Sequence, residues 1–252
     1  MKGLLFLTVL LSFAMLLFIL HRYPDNVLDE VNDGEFRKYL VDAFDRNNDN
    51  KITGQEALSV TDMSPGYDCM FTDISGIEYF ENLVLYIHSY GREKSVDLSG
   101  NNKIRRVSLT EMANLVEFKC NKEIEDIVLT RTSLVKLSLG NMPQLKSFVC
   151  CEGHLISFNT GSAPLLKNLC LKSNELMKLD LSKYPSLETL DCSNNNLSFL
   201  DIRNNPNLKG LKCKRNSSLT LLMNRGQKIY GINEDPDYEA GMDKGTVIKY
   251  KR

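Results

Sequence analysis

The chain has no tryptophan, only three histidines and almost no net charge, with 31 basic against 32 acidic side chains in 252 residues. The charge balance removes the basis for nucleic-acid binding, which draws on a basic excess to neutralise phosphates. His21, His88 and His154 are scattered, and no CxxC, HExxH, GxSxG or glycine-rich phosphate motif accompanies them. Zinc and the common catalytic settings therefore lack support. Cys151 and His154 lie close in sequence but in a turn, and are read as solvated rather than as a thiol–imidazole pair. Seven cysteines are an odd number and too few for a disulfide scaffold. Disorder is excluded by the opposite quantity, an apolar fraction of 42%. What is left is a globular chain that is not expected to be an enzyme.

One long apolar run exists, GLLFLTVLLSFAMLLFIL over residues 3–20, after Lys2 and before His21 and Arg22. Eighteen uncharged residues behind a basic start have the form of an export segment, at the lower length limit for spanning a bilayer. Residues 1–22 are read as a signal peptide or an uncleaved membrane anchor, with the remainder outside the cytoplasm.

Residues 33–44 place Phe36, Leu40, Ala43 and Phe44 on one helical stripe, with Asn32 or Asp33 as N-cap. The loop DRNNDNKITGQE follows at residues 45–56. Taken as a twelve-residue cation loop, Asp45, Asn47 and Asp49 occupy positions 1, 3 and 5. Lys51 offers its carbonyl at position 7, Thr53 stands at position 9, Glu56 is the bidentate carboxylate at position 12, and Ile52 fills the apolar position 8. A hard cation needs six or more oxygens at about 2.3–2.6 Å, and a tight loop turns alternate side chains inward to supply them. Asn50 stands where the pattern has glycine, and asparagine is the next best residue for a left-handed backbone. The segment resembles the EF-hand and related calcium loops of extracellular bacterial proteins. That resemblance implies a single Ca²⁺ with an affinity of about 10⁻⁵ to 10⁻³ M, serving as a structural clamp.

The second half is periodic. Prolines stand at 143, 164, 185 and 206, each 21 residues after the last. Leu145, Leu166, Leu187 and Leu208 keep the step, as do Phe148, Leu169, Leu190 and Leu211. Cys150, Leu171, Cys192 and Cys213 form another column, Asn174, Asn195 and Asn216 a buried-amide column, and Leu155, Leu176 and Leu197 a further apolar one. Each copy holds two short extended passes that cannot bury their apolar faces alone, so copies must stack into a solenoid. Before residue 134 the register slips, with Ile104, Leu115, Ile124 and Leu134 at unequal spacing. ISGIEYFENLVLYI, residues 74–87, reads as a first copy, and KGTVIKYKR at the C-terminus as a strand covering the last open end.

These columns resemble the leucine-rich repeat family, in particular the 21-residue, cysteine-ladder variety of internalin-like bacterial surface proteins. The implied fold is a repeat solenoid of short β-strands preceded by a helix-loop-helix module and an N-terminal hydrophobic helix. Its expected divisions are residues 1–22, 23–66, 67–223 (repeats) and 224–252 (cap). Cys150, Cys192 and Cys213 point inward, with Cys120 placed beside them. Cys151 and Cys170 are expected to face outward, and any reactive or paired thiol to be among these two and Cys69. Asp180 and Asp201 recur at the repeat period and are read as a surface stripe. The outward strand positions, including Lys146, Lys167, Glu188, Asp191 and Lys212, are mixed in sign and carry no aromatic row. The family resemblance implies binding of a protein or cell-envelope partner; the alternative is a purely structural, self-associating envelope protein with no separate ligand.

Overall fold

The computed structural model describes residues 23–216, 218–229, 242–243 and 245–250. The apolar run at residues 3–20 lies outside the described residues. Among these, no helix is long and apolar enough to cross a membrane.

A 3-10 turn at Val27–Glu30 leads into helix α1 (Gly34–Phe44) and, after the loop, helix α2 (Gly54–Ser59). Asp33 caps α1, its carboxylate accepting from the Phe36 N–H at 2.9 Å. Phe36 and Leu40 are buried as the stripe predicts, Phe44 is half-buried, and Ala43 is exposed, while Val41 packs against the core in part. Strands β1 (Asp62–Met63), β2 (Leu85–Ser89), β3 (Ser95–Leu98), β4 (Arg106–Thr110), β5 (Glu117–Cys120), β6 (Asp126–Thr130), β7 (Lys136–Ser138) and β8 (Ser147–Cys151) follow. The chain continues with β9 (Ser157–Asn159), β10 (Asn168–Cys170), β11 (Thr189–Asp191), β12 (Phe199–Asp201), β13 (Gly210–Lys212), β14 (Thr220–Met223) and β15 (Val247–Tyr250).

The strands build a parallel β-solenoid. Its front is an eight-stranded sheet in the order β1-β2-β4-β6-β8-β10-β11-β13; its back is made of β3-β5, β7-β9 and β12-β14-β15. Strand pairing aligns Met63, Tyr86, Val107, Ile127, Phe148, Leu169, Leu190 and Leu211 in one inward row. A 21-residue period sets this row because a strand slipped by one residue would turn its apolar set out to solvent. The irregularity before residue 134 is a difference in turn length: Val107 and Ile127 are twenty residues apart yet directly paired, so the ladder runs through it unbroken. β15 pairs with β14 and closes the edge of the back sheet. The helical segment shares one continuous apolar core with the repeats, through Val27, Phe36, Leu40 and Ile52.

Among the described residues, buried asparagines stand at both corners of the solenoid, three at each. At the front-to-back corner Asn174, Asn195 and Asn216 are buried, their amides donating to carbonyls of their own turn and of the preceding one. Asn101, Asn121 and Asn205 form a second asparagine series at the opposite corner, donating to Ile77 and Phe80, Asn101 and Ile104, and Leu181 and Tyr184. The sequence contains its signal, the segments VDLSGN and LDIRNN, but only the first asparagine column is evident from the period.

A left-handed residue begins the front-to-back turn in every copy: Tyr90, Glu111, Arg131, Glu152, Ser173, Asn194 and Arg215, with φ between 53° and 64°. A side chain there costs about 1–2 kcal/mol. The conformation is held by the next turn, since Tyr90, Glu111, Arg131 and Glu152 each donate their N–H to its carbonyls, of Thr110, Thr130, Cys151 and Lys172.

Candidate functional site

The front sheet, with eight strands, is the largest of the described sheets and presents one continuous outer face. Its middle column runs Ile87, Ser108, Val128, Val149, Cys170, Asp191 and Lys212 by direct strand pairing. It therefore grades from apolar at the N-terminal end to charged at the C-terminal end. At the apolar end Ile87 and Tyr90 are exposed together with Tyr67 and Met70. The Tyr67 and Tyr90 rings meet edge to face, 5.8 Å between centroids. This aromatic pair escaped the sequence reading because it joins a residue ahead of the repeats to one in the first turn. Flanking the column, Lys146 pairs with Glu125 at 2.6 Å and Lys167 with Glu188 at 2.9 Å, so those charges are mutually neutralised. Arg131 is held between Glu111 and Glu152. Such exposed pairs add little to stability and chiefly fix the surface pattern.

Asp180 and Asp201 lie on the back. Each accepts from the backbone two residues on, Ser182 and Arg203, and the latter's guanidinium also binds Asp201 at 2.8 Å. They hold turns rather than form a carboxylate pair.

Five cysteine positions follow expectation and two, Cys120 and Cys151, differ. Cys150, Cys192 and Cys213 are buried inward, and burial pushes the Cys150 and Cys213 thiols up to about 12. Cys120 ends a back strand, paired with Leu98, so it belongs to the other wall of the core. Cys69 is half-buried ahead of the repeats. Cys170 is half-buried on the outer face, but Cys151, expected to face solvent, is only 8% exposed. The cause is contact between them, Sγ to Sγ 2.7 Å. His154 is engaged instead with Glu175, Nδ1 to Oε1 3.0 Å, on the exposed turn.

His88 and Glu93 stand where the other turns carry apolar residues. His88 pairs in register with Leu109, in the inward column of Leu129 and Cys150. Glu93 precedes Lys94, whose carbonyl accepts from Val116, so it stands level with Leu115. Both side chains are fully buried, with Nδ1 2.9 Å from Oε1. His88 Nε2 donates to the Cys69 carbonyl at 2.8 Å, since the carbonyl can only accept, and its ring lies 4.7 Å from that of Phe71. A Cβ on Gly91 would fall 2.1 Å from Glu93 Oε2, so glycine is what lets the pair fit. The pair ties residues 69–71 to the sheet.

The loop at residues 45–56 is curled as its composition predicts. Asp45 accepts from the N–H groups of Asp49 and Asn50, Asn47 from Asp49, and Asp49 from Lys51. Asn50 is left-handed at φ 61°. Thr53 caps α2 in a reciprocal box with Glu56, whose carboxylate also accepts from Arg46 N–H at 3.0 Å. Burial raises the Glu56 pKa and these hydrogen bonds outweigh it, leaving it lowered. Ile52 is buried, its carbonyl accepting from Val27 and its N–H donating to Asn26 Oδ1. The carboxylates are thus held on backbone N–H groups rather than gathered on a common centre. Among the described residues no group of three or more His, Cys, Asp or Glu is close enough to hold a metal ion.

No family model and no curated protein matches the chain. Among solved structures, internalin C2 from Listeria monocytogenes is similar over 91% of this chain and 98% of its own, with a TM-score of 0.61 and 18% identity. The functional domain of InlJ from the same organism, which includes a cysteine ladder, is 18% identical with a TM-score of 0.33, over 77% of this chain. The present chain spans 57% of that domain's length. An internalin, InlF, is 14% identical over 81% of this chain and 87% of its own, with a TM-score of 0.34. The internalin C2 likeness establishes the leucine-rich-repeat solenoid as the fold.

Proposed function

We propose that the chain is an exported binding module whose front-sheet face receives a protein or cell-envelope partner. The observation that carries this reading is the graded outer face, apolar at Tyr67, Met70, Ile87 and Tyr90 and charged at Asp191 and Lys212. Exposed aromatic and aliphatic side chains beside a polar field are what a protein interface uses as anchors and rim. The fold shared with internalin C2, and the export segment read at residues 3–20, support the same role. In capture of envelope proteins by the tagged full chain, Ile87→Lys with Tyr90→Glu is expected to reduce recovery of a non-self partner at least tenfold. Val135→Lys, on the other side of the solenoid, leaves it unchanged. Self-association alone, unaffected by the front-face variant, would replace this reading with the structural one.

The same proposal gives the loop at residues 45–56 one Ca²⁺, held by Asp45, Asn47, Asp49, the Lys51 carbonyl, Thr53 and Glu56. The left-handed Asn50 and the shared curl of Asp45, Asn47 and Asp49 support it. Bound calcium supplies a fixed double positive charge at the junction between the helices and the first turn. At free calcium about fifty times Kd, binding stabilises by about 2 kcal/mol, a rise in Tm of about 5 °C. Asp45→Asn is expected to abolish the rise. A melt of the native chain that is identical in calcium and in chelator removes calcium from the reading and leaves the binding face untouched.

A further inference from the structure

We propose that Cys151 and Cys170 form a dithiol–disulfide couple on the front sheet, closed by exchange with an incoming disulfide. β8 and β10 are neighbouring parallel strands in which Cys170 is level with Val149. Cys151 lies two residues beyond Val149, hence on the same side of the sheet. This diagonal offset is what parallel rungs at the same level lack, and it turns the two side chains toward each other. Their sulfurs need a shift of under about 1 Å to reach the bonding distance of about 2.05 Å.

The two thiols are also unequal. Cys170 is half-buried and reachable, while Cys151 is covered. The contact with Cys151 lowers the Cys170 pKa, assisted by the Lys172 backbone and charge and opposed by burial and by Asp191. The same contact, with burial and the neighbouring Cys150, pushes Cys151 up. Every other thiol with a resolved shift, at Cys69, Cys120, Cys150, Cys192 and Cys213, is raised by burial. The accessible Cys170 is therefore the nucleophile and the covered Cys151 the resolving thiol.

In the first step the Cys170 thiolate attacks one sulfur of a small-molecule or protein disulfide RSSR. A Cys170–S–SR bond forms, the RS–SR bond breaks, and RS⁻ leaves. Cys151 then gives its proton to solvent base and attacks Cys170 Sγ, expelling a second RS⁻. Both departing thiolates take up protons, so two protein thiols and RSSR become one protein disulfide and two RSH. The new bond joins two adjacent turns of the solenoid across the outer face, at the midpoint of the middle column.

The test uses the reduced full chain treated with oxidised glutathione, quenched with N-ethylmaleimide and mapped by peptide mass. The expected result is a Cys151–Cys170 link with the other five thiols alkylated. Cys151→Ser is expected to accumulate a glutathione adduct at Cys170, and Cys170→Ser to give neither link nor adduct. In the reduced native chain, Cys170 should alkylate at least tenfold faster than Cys69 at pH 7, its rate rising with pH as the thiolate forms. Native chain that ends with both cysteines alkylated, or linked to a different cysteine, overturns the proposal. So does equal alkylation of Cys170 and Cys69, which needs no variant to fold.

Discussion

Glu93→Ala is expected to lower the free energy of unfolding by about 3–5 kcal/mol, because it leaves His88 buried opposite a missing partner. Glu93 and His88 are both fully buried, and the carboxylate that faces Nδ1 has no other hydrogen-bond partner among the described residues. The Tyr86 hydroxyl beside it is likewise unpartnered, and burial together with the Glu93 charge pushes that phenol well up. The pair therefore carries a desolvation cost that its single short contact offsets only in part. Neighbouring turns show the apolar alternative: Leu109 and Leu115 stand at the two equivalent places. The double variant His88→Leu with Glu93→Leu is expected to regain at least half of the loss, short of full recovery because the bond to the Cys69 carbonyl goes too. A double-mutant cycle by urea denaturation reads the coupling. Additive single and double losses would show that the two residues do not act as a pair.

This pair marks where the sequence stops being readable. From residue 134 onward the leucine and asparagine columns recur because each turn solves the same packing problem against an identical neighbour, so the solenoid is visible as period alone. At the N-terminal end the neighbour is instead the helical segment, and His88 and Glu93 break the apolar columns there to engage Cys69 and Phe71. A twenty-residue turn at Val107–Ile127 then hides the step from any fixed grid. The bend at residues 45–56 is legible for a different reason, since twelve consecutive residues specify it locally. Whether its oxygens gather on one centre depends on Glu56, and there the capping box with Thr53 competes for the same carboxylate. The period narrows a thiol pair to Cys69, Cys151 and Cys170 but not to the contact itself, which joins different positions of two neighbouring turns. The Tyr67–Tyr90 pair lies beyond it, since Tyr67 stands ahead of the repeats.

Asn195→Ala is expected to cost about 3 kcal/mol, an effect shared by the equivalent Asn174 and Asn216, which make the same bonds. The Asn195 amide donates to the carbonyls of Leu171 at 2.8 Å and Cys192 at 3.1 Å, while its oxygen accepts from Leu176 N–H at 3.0 Å. It thus binds three backbone groups from two successive turns, all buried. Alanine leaves the Leu176 N–H without a partner at a corner 5% exposed, at about 1–3 kcal/mol, and takes one of two amide donors from each carbonyl, since Leu171 keeps Asn174 and Cys192 keeps Asn216. Asn196 next to it is exposed, and Asn196→Ala is expected to change stability by under about 0.5 kcal/mol. Because a solenoid is coupled mainly through nearest neighbours, the damage should be local. Amide exchange should quicken across residues 171–197, the two turns that Asn195 joins, with less effect near Leu109 and Leu129. Equal denaturation midpoints for the two alanine variants would mean that the asparagine column follows the turn rather than holds it. An exchange increase spread evenly over all turns would instead show that the stack unfolds as one unit, and that the coupling between turns exceeds the stability of any one of them.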